Sequence, residues 1–134
     1  MFKLTKKVEY GLIAVKHMAT VGKKRPCSAK EISKQYKLPY DLLSKVLQTL
    51  KNEKILTSVQ GIKGGYRLSK RPAEIRLSKV FNAIEGSNYI LDCGLHDKPG
   101  KCKIYKTCTI NHPLQEIQRS IYSYFNRTTL AEIV

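Results

Sequence analysis

The stretch from Leu38 to Pro72 constrains the fold of this chain more than any other part of the sequence. It contains apolar residues at positions i, i+3, i+4 and i+7, a spacing that predicts one buried face of a helix ending near Asn52. That stripe consists of Leu43, Val46, Leu47 and Leu50. Residues 56–59 and 66–68 predict two short strands, because they flank a glycine-rich turn over Gln60 to Gly65.

The outer surface of this helix and hairpin is polar and basic. The helix presents short hydrogen-bonding side chains, and the hairpin carries Lys63, Arg67, Lys70 and Arg71. A helix followed by a basic hairpin is typical of a winged helix-turn-helix. In that motif the helix enters the major groove of DNA and the hairpin lies against the adjacent backbone or minor groove. The alternative is an amphipathic helix and hairpin in an ordinary basic domain.

Two more helices are predicted before this unit. The first extends from about Thr5 to Thr20, where apolar residues recur at helical spacing. Those residues are Leu4, Val8, Leu12, Val15 and Ala19. The second begins at Ser28, which has capping-box spacing to Glu31, and extends to about Tyr36. Pro39 suits the start of the recognition helix, where its missing N–H costs little. Together the three helices predict a tri-helical core.

The chain after the hairpin is predicted to contain one short and one long helix. Ser78 is expected to cap the short helix, which Gly86 closes, and residues 87–111 show no periodicity. Pro113 is expected to open the long helix, and a short closing helix is expected within Thr128 to Val134. The long helix has an apolar stripe that either packs against its own domain or forms a dimer seam. The stripe consists of Leu114, Ile117, Ile121, Tyr124 and Phe125.

Positive charge is concentrated in the first part of the chain. Residues 1–79 contain 19 Lys+Arg and 5 Asp+Glu, a net charge of +14, whereas residues 80–134 contain 6 and 5, a net charge of +1. Such asymmetry favours a polyanionic partner for the basic part. We expect no membrane partner, because no segment places a lysine-rich face opposite a broad apolar face. With no span or signal peptide visible, a cytoplasmic protein is expected.

Three of the four cysteines lie close together. Eight residues separate Cys93 from Cys102, and five separate Cys102 from Cys108. An odd number of cysteines in an intracellular protein argues against a disulfide framework, and structural zinc usually has tighter cysteine pairs. The spacing favours an iron–sulfur cluster with a fourth ligand from elsewhere, while zinc and unliganded redox thiols remain alternatives. Cys27 stands alone and is expected to be a small, partly buried side chain.

The sequence does not indicate an enzyme. No HExxH, GxxxxGK[ST] or GxSxG motif occurs, and the glycine-rich GIKGG precedes a predicted strand rather than the helix of a phosphate-binding loop. His17, His96 and His112 have no acid or nucleophile at a recognisable catalytic spacing.

Several motifs together resemble the IscR/NsrR family of bacterial iron–sulfur winged-helix transcription regulators. They are LTKKVEYGL, LPYDLLSKVLQTL, GIKGGYRLSKRP, AIEG, the three cysteines and TTLAEIV. The resemblance implies a homodimer whose long C-terminal helices cross and whose clusters, of two or four iron atoms, lie near the dimer interface. It also implies that Cys93, Cys102 and Cys108 are ligands. The cysteine spacing is most similar to that of the nitric-oxide- and iron-responsive branches.

The resemblance offers two candidates for the fourth ligand. Some relatives use a histidine three residues after the last cysteine, but this chain has Asn111 there and His112 one place later. Other relatives use a carboxylate in the first helix of the partner subunit, and Glu9 occupies the matching position. We therefore favour Glu9 over His112.

These observations predict a dimeric DNA-binding regulator, most simply a repressor, that senses nitric oxide, redox or iron status through the cluster. The alternative is a zinc- or thiol-containing module that binds nucleic acid or protein without a cluster. The expected domains are a winged helix-turn-helix over residues 1–86, a cluster-binding loop over 87–112, and a dimerisation helix and tail over 113–134. The partner is expected to be a double-stranded DNA operator with dyad symmetry.

Two groups of residues are predicted to contact this operator. The first faces base edges and consists of Tyr40, Ser44, Lys45 and Gln48. The second meets phosphates or the minor groove and consists of Gln60, Lys63, Arg67, Thr5 and Lys6.

Overall fold

The computed structural model describes residues 3–22, 24–86 and 102–134. The α-helices in these ranges are α1 (Lys6–Val21), α2 (Ala29–Tyr36), α3 (Tyr40–Asn52), α4 (Leu77–Glu85) and α5 (Asn111–Arg127). The strands are β1 (Leu56–Val59) and β2 (Gly65–Leu68), paired as an antiparallel hairpin in which Leu56 faces Leu68. The predicted fold, mostly α-helical with one small hairpin, is confirmed.

Among the described residues, the larger of two buried apolar clusters lies beneath α3. Its apolar stripe is buried as predicted, and the side chains of Leu43, Leu47 and Leu50 are fully enclosed. Helix α1 packs against both α3 and α4, while α2 packs against α3 through Ile32. Each fully buried leucine stabilises the fold by about 1.5–3 kcal/mol relative to an exposed one. The recognition helix is therefore held rigidly on its inner face, and its outer face is free.

Local sequence signals explain where these helices begin. The hydroxyl oxygen of Thr5 accepts a hydrogen bond from the Val8 N–H, and that of Ser28 accepts one from the Glu31 N–H at 3.1 Å. The predicted capping box is only half formed, because the Glu31 carboxylate instead accepts two hydrogen bonds from Arg25, at 2.7 and 2.5 Å. Helix α3 follows Pro39 and ends at Asn52, as predicted.

Two predicted helix starts were wrong. Helix α4 begins at Leu77, one residue before Ser78, so Ser78 does not cap it. Ser78 is instead buried in the first turn and donates a hydrogen bond to Asn126 Oδ1 at 3.0 Å. Helix α5 begins at Asn111 rather than Pro113. The proline is tolerated in the first turn, where backbone N–H groups have no intrahelical partner.

The C-terminal end of the chain returns to the DNA-binding part of the molecule. The rings of Phe81 and Phe125 meet edge to face with centroids 4.7 Å apart, and Leu130 is fully buried in the core. The expected closing helix is a single 3-10 turn at Leu130–Glu132, and another 3-10 turn, which the sequence did not indicate, lies at Pro72–Glu74. The start of α4 and the end of α5 are thus joined.

Candidate nucleic-acid interface and cysteine segment

The outer face of α3 presents the side chains that were predicted to read bases. Tyr40, Lys45 and Gln48 are exposed and Ser44 is half-buried at the edge of the helix. Within the described part of the chain, Lys45 has no carboxylate within ion-pairing distance. The outer face of α3 therefore offers the Lys45 cation and several hydrogen-bonding groups to a partner.

The hairpin lies directly beside this face. The Tyr66 hydroxyl is 3.5 Å from Gln48 Oε1, so one base-reading candidate also contacts the wing. Gln60, Lys63 and Arg67 are all exposed, and among the described residues neither Lys63 nor Arg67 has an ion-pair partner. The helix and the wing together form a continuous surface with unpaired positive charge, which suits a phosphate backbone.

The wing is fixed to the core at its base rather than free to swing. Backbone hydrogen bonds join Cys27 and Tyr66 in both directions, at 3.0 and 2.8 Å. Gly65 permits this approach, because a Cβ there would lie 2.5 Å from the Cys27 carbonyl group. Cys27 itself is completely buried, and burial raises the pKa of its thiol. It is therefore an unreactive structural residue.

The tip of the wing carries a side chain that the sequence analysis did not single out. Ile62 is fully exposed between Gly61 and Gly64. The sequence did contain a signal for this exposed side chain, because Ile62 lies inside the predicted turn, where an isoleucine cannot pack into the core.

Thr5 and Lys6 are already engaged within the chain. The Thr5 hydroxyl donates to the Glu85 carboxylate, which ties the start of α1 to the end of α4. Lys6 Nζ lies 2.8 Å from Glu9 Oε2, and this contact raises the pKa of the lysine. Contact with DNA would therefore require Lys6 to share its charge with Glu9.

The structure describes two of the three clustered cysteines. Cys102 and Cys108 are half-buried free thiols, whereas Cys93 lies outside the described residues. Glu9 is paired with Lys6, and His112 is exposed in the first turn of α5. Across residues 3–22, 24–86 and 102–134 of one chain, no three histidine, cysteine or acidic side chains converge as metal ligands would. The candidate ligands are thus not assembled within the described part of a single subunit.

The buried His17 belongs to a polar cluster that sequence reasoning missed. Its Nδ1 lies 3.0 Å from the Tyr36 hydroxyl, and its Nε2 lies 3.6 Å from Glu31 Oε1. Glu31 is in turn held by Arg25, which lowers the pKa of the carboxyl group. Because the partners are 14 and 19 positions away in sequence, spacing alone could not reveal them. The cluster fixes α2 against α1.

Helix α5 leaves much of its apolar stripe uncovered. Phe125 packs on the domain, but Ile117 and Tyr124 are 49% and 55% exposed, and Ile121 is also exposed. One end of the stripe therefore packs internally, and the rest is exposed in the single chain.

The family comparison agrees with this architecture. The model of the Rrf2 family, described as an iron-dependent transcriptional regulator, matches residues 4–134. The chain belongs to the Rrf2 family. Among its relatives is the HTH-type transcriptional regulator NsrR of Shouchella clausii, 24% identical over 132 residues that cover 98% of this chain and 88% of the relative. The resemblance to IscR/NsrR regulators is thereby confirmed.

Solved structures of Rrf2-type regulators have the same fold. CymR, the global cysteine regulator of B. subtilis, gives a TM-score of 0.77 at 22% identity, covering 99% of this chain and 96% of that one. IscR of T. potens gives a TM-score of 0.73 at 23% identity, covering 98% and 85%. These likenesses confirm the winged-helix fold. As a member of the Rrf2 family, the protein is a transcriptional regulator and not an enzyme.

The search for membrane-spanning segments gave a negative result. None of the helices in the described ranges combines the length and the apolar character needed to cross a bilayer.

Proposed function

We propose that this Rrf2 regulator is a homodimeric repressor that binds a dyad-symmetric operator and depends on an iron–sulfur cluster. The observation that carries the DNA-binding part is the continuous surface of α3 and the wing. The exposed polar groups of α3 suit base edges in the major groove, which display a distinct donor and acceptor pattern for each base pair. The exposed Lys63 and Arg67 suit the phosphate backbone.

The apolar surface of α5 supports the homodimer. Ile117, Ile121 and Tyr124 lie on one side of the helix and are exposed in the single chain. In a symmetric dimer the same surface of each subunit covers the other, which would remove these side chains from water. Two recognition helices held by such a seam would meet two half-sites at a fixed separation.

The donor set fits an iron–sulfur cluster. Cys102 and Cys108 are free, half-buried thiols near the start of α5, and thiolates are the usual ligands of such clusters. Cys93 would supply the third thiolate. Glu9 of the partner subunit would supply the fourth ligand, with His112 as the alternative, and a carboxylate is a weaker donor for iron than the thiolates beside it. When bound, the cluster supplies iron that reacts with nitric oxide and oxidants.

As a ligand, Glu9 would connect this site to the DNA surface. It lies in the first turn of α1, next to Lys6, and Thr5 at the same helix end is joined to Glu85. Lys6 contacts only Oε2 of the Glu9 carboxylate, so a metal held by Glu9 would share the negative charge of this carboxylate with Lys6. Lys6 would then be less strongly held by Glu9 and more available to a phosphate.

The test of the proposal combines metal content with DNA selectivity. After anaerobic purification we expect iron with equal acid-labile sulfide in the wild type, loss of both in Cys102→Ala, and retention of both in Cys27→Ala, the matched control. A colourless protein with stoichiometric zinc would support the zinc- or thiol-containing module instead. Equal affinity for a selected operator and a random duplex at physiological salt would contradict specific regulation.

A further inference from the structure

A polar cleft lies where the end of α5 meets the segment between the wing and α4. It encloses about 600 Å³, which is within the range of small-molecule sites. Its polar lining residues are Glu74, Arg76, Ser123, Asn126, Arg127 and Thr129. None of these residues belongs to the predicted DNA surface or to the cysteine segment.

The walls of the cleft are fixed by backbone pairing. The Leu77 N–H donates to the Thr128 carbonyl at 2.9 Å, and the Leu130 N–H donates to the Ile75 carbonyl at 2.8 Å. Arg76 and Thr129 are therefore the non-hydrogen-bonded pair of an antiparallel bridge, in which side chains stand close together on one side. A ligand would meet a site that is already formed, which lowers the cost of binding.

The side chains in the cleft offer more donors than acceptors. Among the described residues, Arg76 and Arg127 have no carboxylate within ion-pairing distance. The Arg127 guanidinium lies over the Tyr124 ring, 5.4 Å from its centroid, which holds the charge in place. Asn126 accepts from Ser78 through Oδ1, so its amide N–H groups remain available.

The single carboxylate that lines the cleft is already paired. Glu74 Oε2 accepts hydrogen bonds from the Arg71 backbone N–H at 3.1 Å and from Arg71 Nε at 3.3 Å. These contacts lower the pKa of Glu74, which stays ionised and paired with Arg71. The unpaired charge of the cleft is therefore positive.

We propose that this cleft binds a small organic anion, whose carboxylate or phosphate group is held by the guanidinium groups of Arg76 and Arg127. Arginine pairs with both oxyanions through two parallel hydrogen bonds, so both headgroups share the recognition chemistry. Ser123 and Asn126 add neutral donors around the headgroup, whereas the Thr129 hydroxyl already donates to Glu132 Oε2 at 3.3 Å.

The position of the cleft gives such a ligand a route to influence DNA binding. At 100° per residue, Ser123 and Asn126 lie roughly 130° and 170° around α5 from the centre of the seam of Ile117, Ile121 and Tyr124. Arg127 lies roughly 90° from that centre, and its guanidinium rests on the Tyr124 ring at the edge of the seam. The part of the cleft lined by Ser123 and Asn126 therefore faces away from the seam. A ligand that contacts both the end of α5 and the start of α4 can bias how the dimerisation helix sits on the DNA-binding domain.

The test is a titration of the full-length protein with inorganic phosphate and, separately, with malonate, at constant pH and ionic strength. We expect saturable NMR shifts at the Arg127 side-chain N–H and the Thr129 backbone N–H. Arg127→Gln should weaken binding about tenfold, the effect of losing one charge-assisted hydrogen bond. Arg76→Gln provides a second variant if the first does not fold. The anion with the lower dissociation constant identifies the preferred headgroup.

Arg119→Gln is the matched control, because it removes the same charge from the same helix at a guanidinium that is paired with Glu116. It should bind both anions as the wild type does. Shifts that rise linearly without saturation, or equal weakening by Arg119→Gln and Arg127→Gln, would overturn the proposal. So would a loss of operator affinity in Arg127→Gln alone when both anions are absent, because the cleft would then be a DNA contact.

Discussion

At the scale of single residues, the wing depends on one close backbone approach. Gly65 lies against the Cys27 carbonyl group, and both backbone hydrogen bonds between Cys27 and Tyr66 require that contact. Any side chain at position 65 must push the hairpin away from the core. The same hairpin positions Tyr66 beside Gln48, so the effect of this glycine reaches the recognition helix.

Replacing Gly65 with alanine should therefore destabilise the protein by about 1–3 kcal/mol, the cost of local strain that the surroundings cannot relieve. Thermal denaturation measures this loss. Gly61→Ala is the matched control, because φ is also positive there but a Cβ would meet nothing within 4 Å. Its effect should be smaller and confined to the tip of the turn. Equal losses in the two variants would show that the approach to Cys27 is unimportant.

The Arg25–Glu31 pair makes a second residue-scale prediction, for the dependence of stability on pH. Arg25 lowers the pKa of Glu31 in the folded protein. The stabilisation that this ion pair gives the folded protein is therefore fully present above the ordinary glutamate pKa of about 4.3. It is lost as the pH falls through the pKa that Glu31 has in the folded protein. Arg25→Gln should reduce the free energy of unfolding at neutral pH. It should also make that free energy fall less as the pH is lowered. Urea denaturation at several pH values measures both effects. Arg76→Gln is the control, because among the described residues Arg76 has no carboxylate within ion-pairing distance. An unchanged pH profile would contradict this assignment.

At the scale of elements, the recognition helix and the wing have separable tasks. The inner face of α3 is occupied by the core, whereas its outer face and the wing are exposed. Substitutions on the outer surface should therefore leave folding intact and change only DNA binding. This separation allows base contacts to be distinguished from phosphate contacts.

Lys63→Ala should weaken binding to all duplexes about equally and reduce the salt dependence by about one unit of slope, because it removes one phosphate contact. Gln48→Ala should instead relax the preference at one base pair and leave the salt slope unchanged. Shift assays over a range of salt concentrations measure both. If Lys63→Ala changes the preferred sequence, the assignment of the wing to phosphates is wrong.

Elements with strong local signals were predicted well from the sequence. The apolar stripe of α3 and the proline before it predicted both ends of that helix, and the glycines of the turn predicted the hairpin. Ser78 was misassigned as a cap because its partner, Asn126, is 48 positions away. The bridge between Arg76 and Thr129, the His17 cluster and the polar cleft were missed for the same reason: each is made by distant residues.

At the scale of the whole molecule, the set of metal ligands stays a prediction, because one of them is expected to come from the second subunit. Cysteine spacing identified Cys102 and Cys108 as candidates, and Cys93 lies outside the described residues. A fourth ligand donated by another subunit leaves no spacing signal within one chain. The choice between Glu9 and His112 therefore depends on the assembled dimer.

The dimer itself can be tested through α5. Ile117→Asp places a charge in the exposed apolar seam and should shift the protein to monomer, with weaker operator binding because two half-sites are no longer linked. Analytical ultracentrifugation measures the assembly state. Ser123→Asp, on the opposite flank of α5, is the control and should stay dimeric. A dimer that survives Ile117→Asp would place the interface elsewhere.

The cluster is proposed to control operator binding, and comparing the protein with and without its cluster tests this proposal. Cluster-loaded and cluster-free samples of the same anaerobic preparation are titrated against one operator at fixed salt, before and after addition of nitric oxide. We predict tight binding by the loaded protein, weaker binding by the cluster-free protein, and release when nitric oxide is added. Equal affinity of the loaded and cluster-free forms would contradict the account and leave the cluster a role in stability alone.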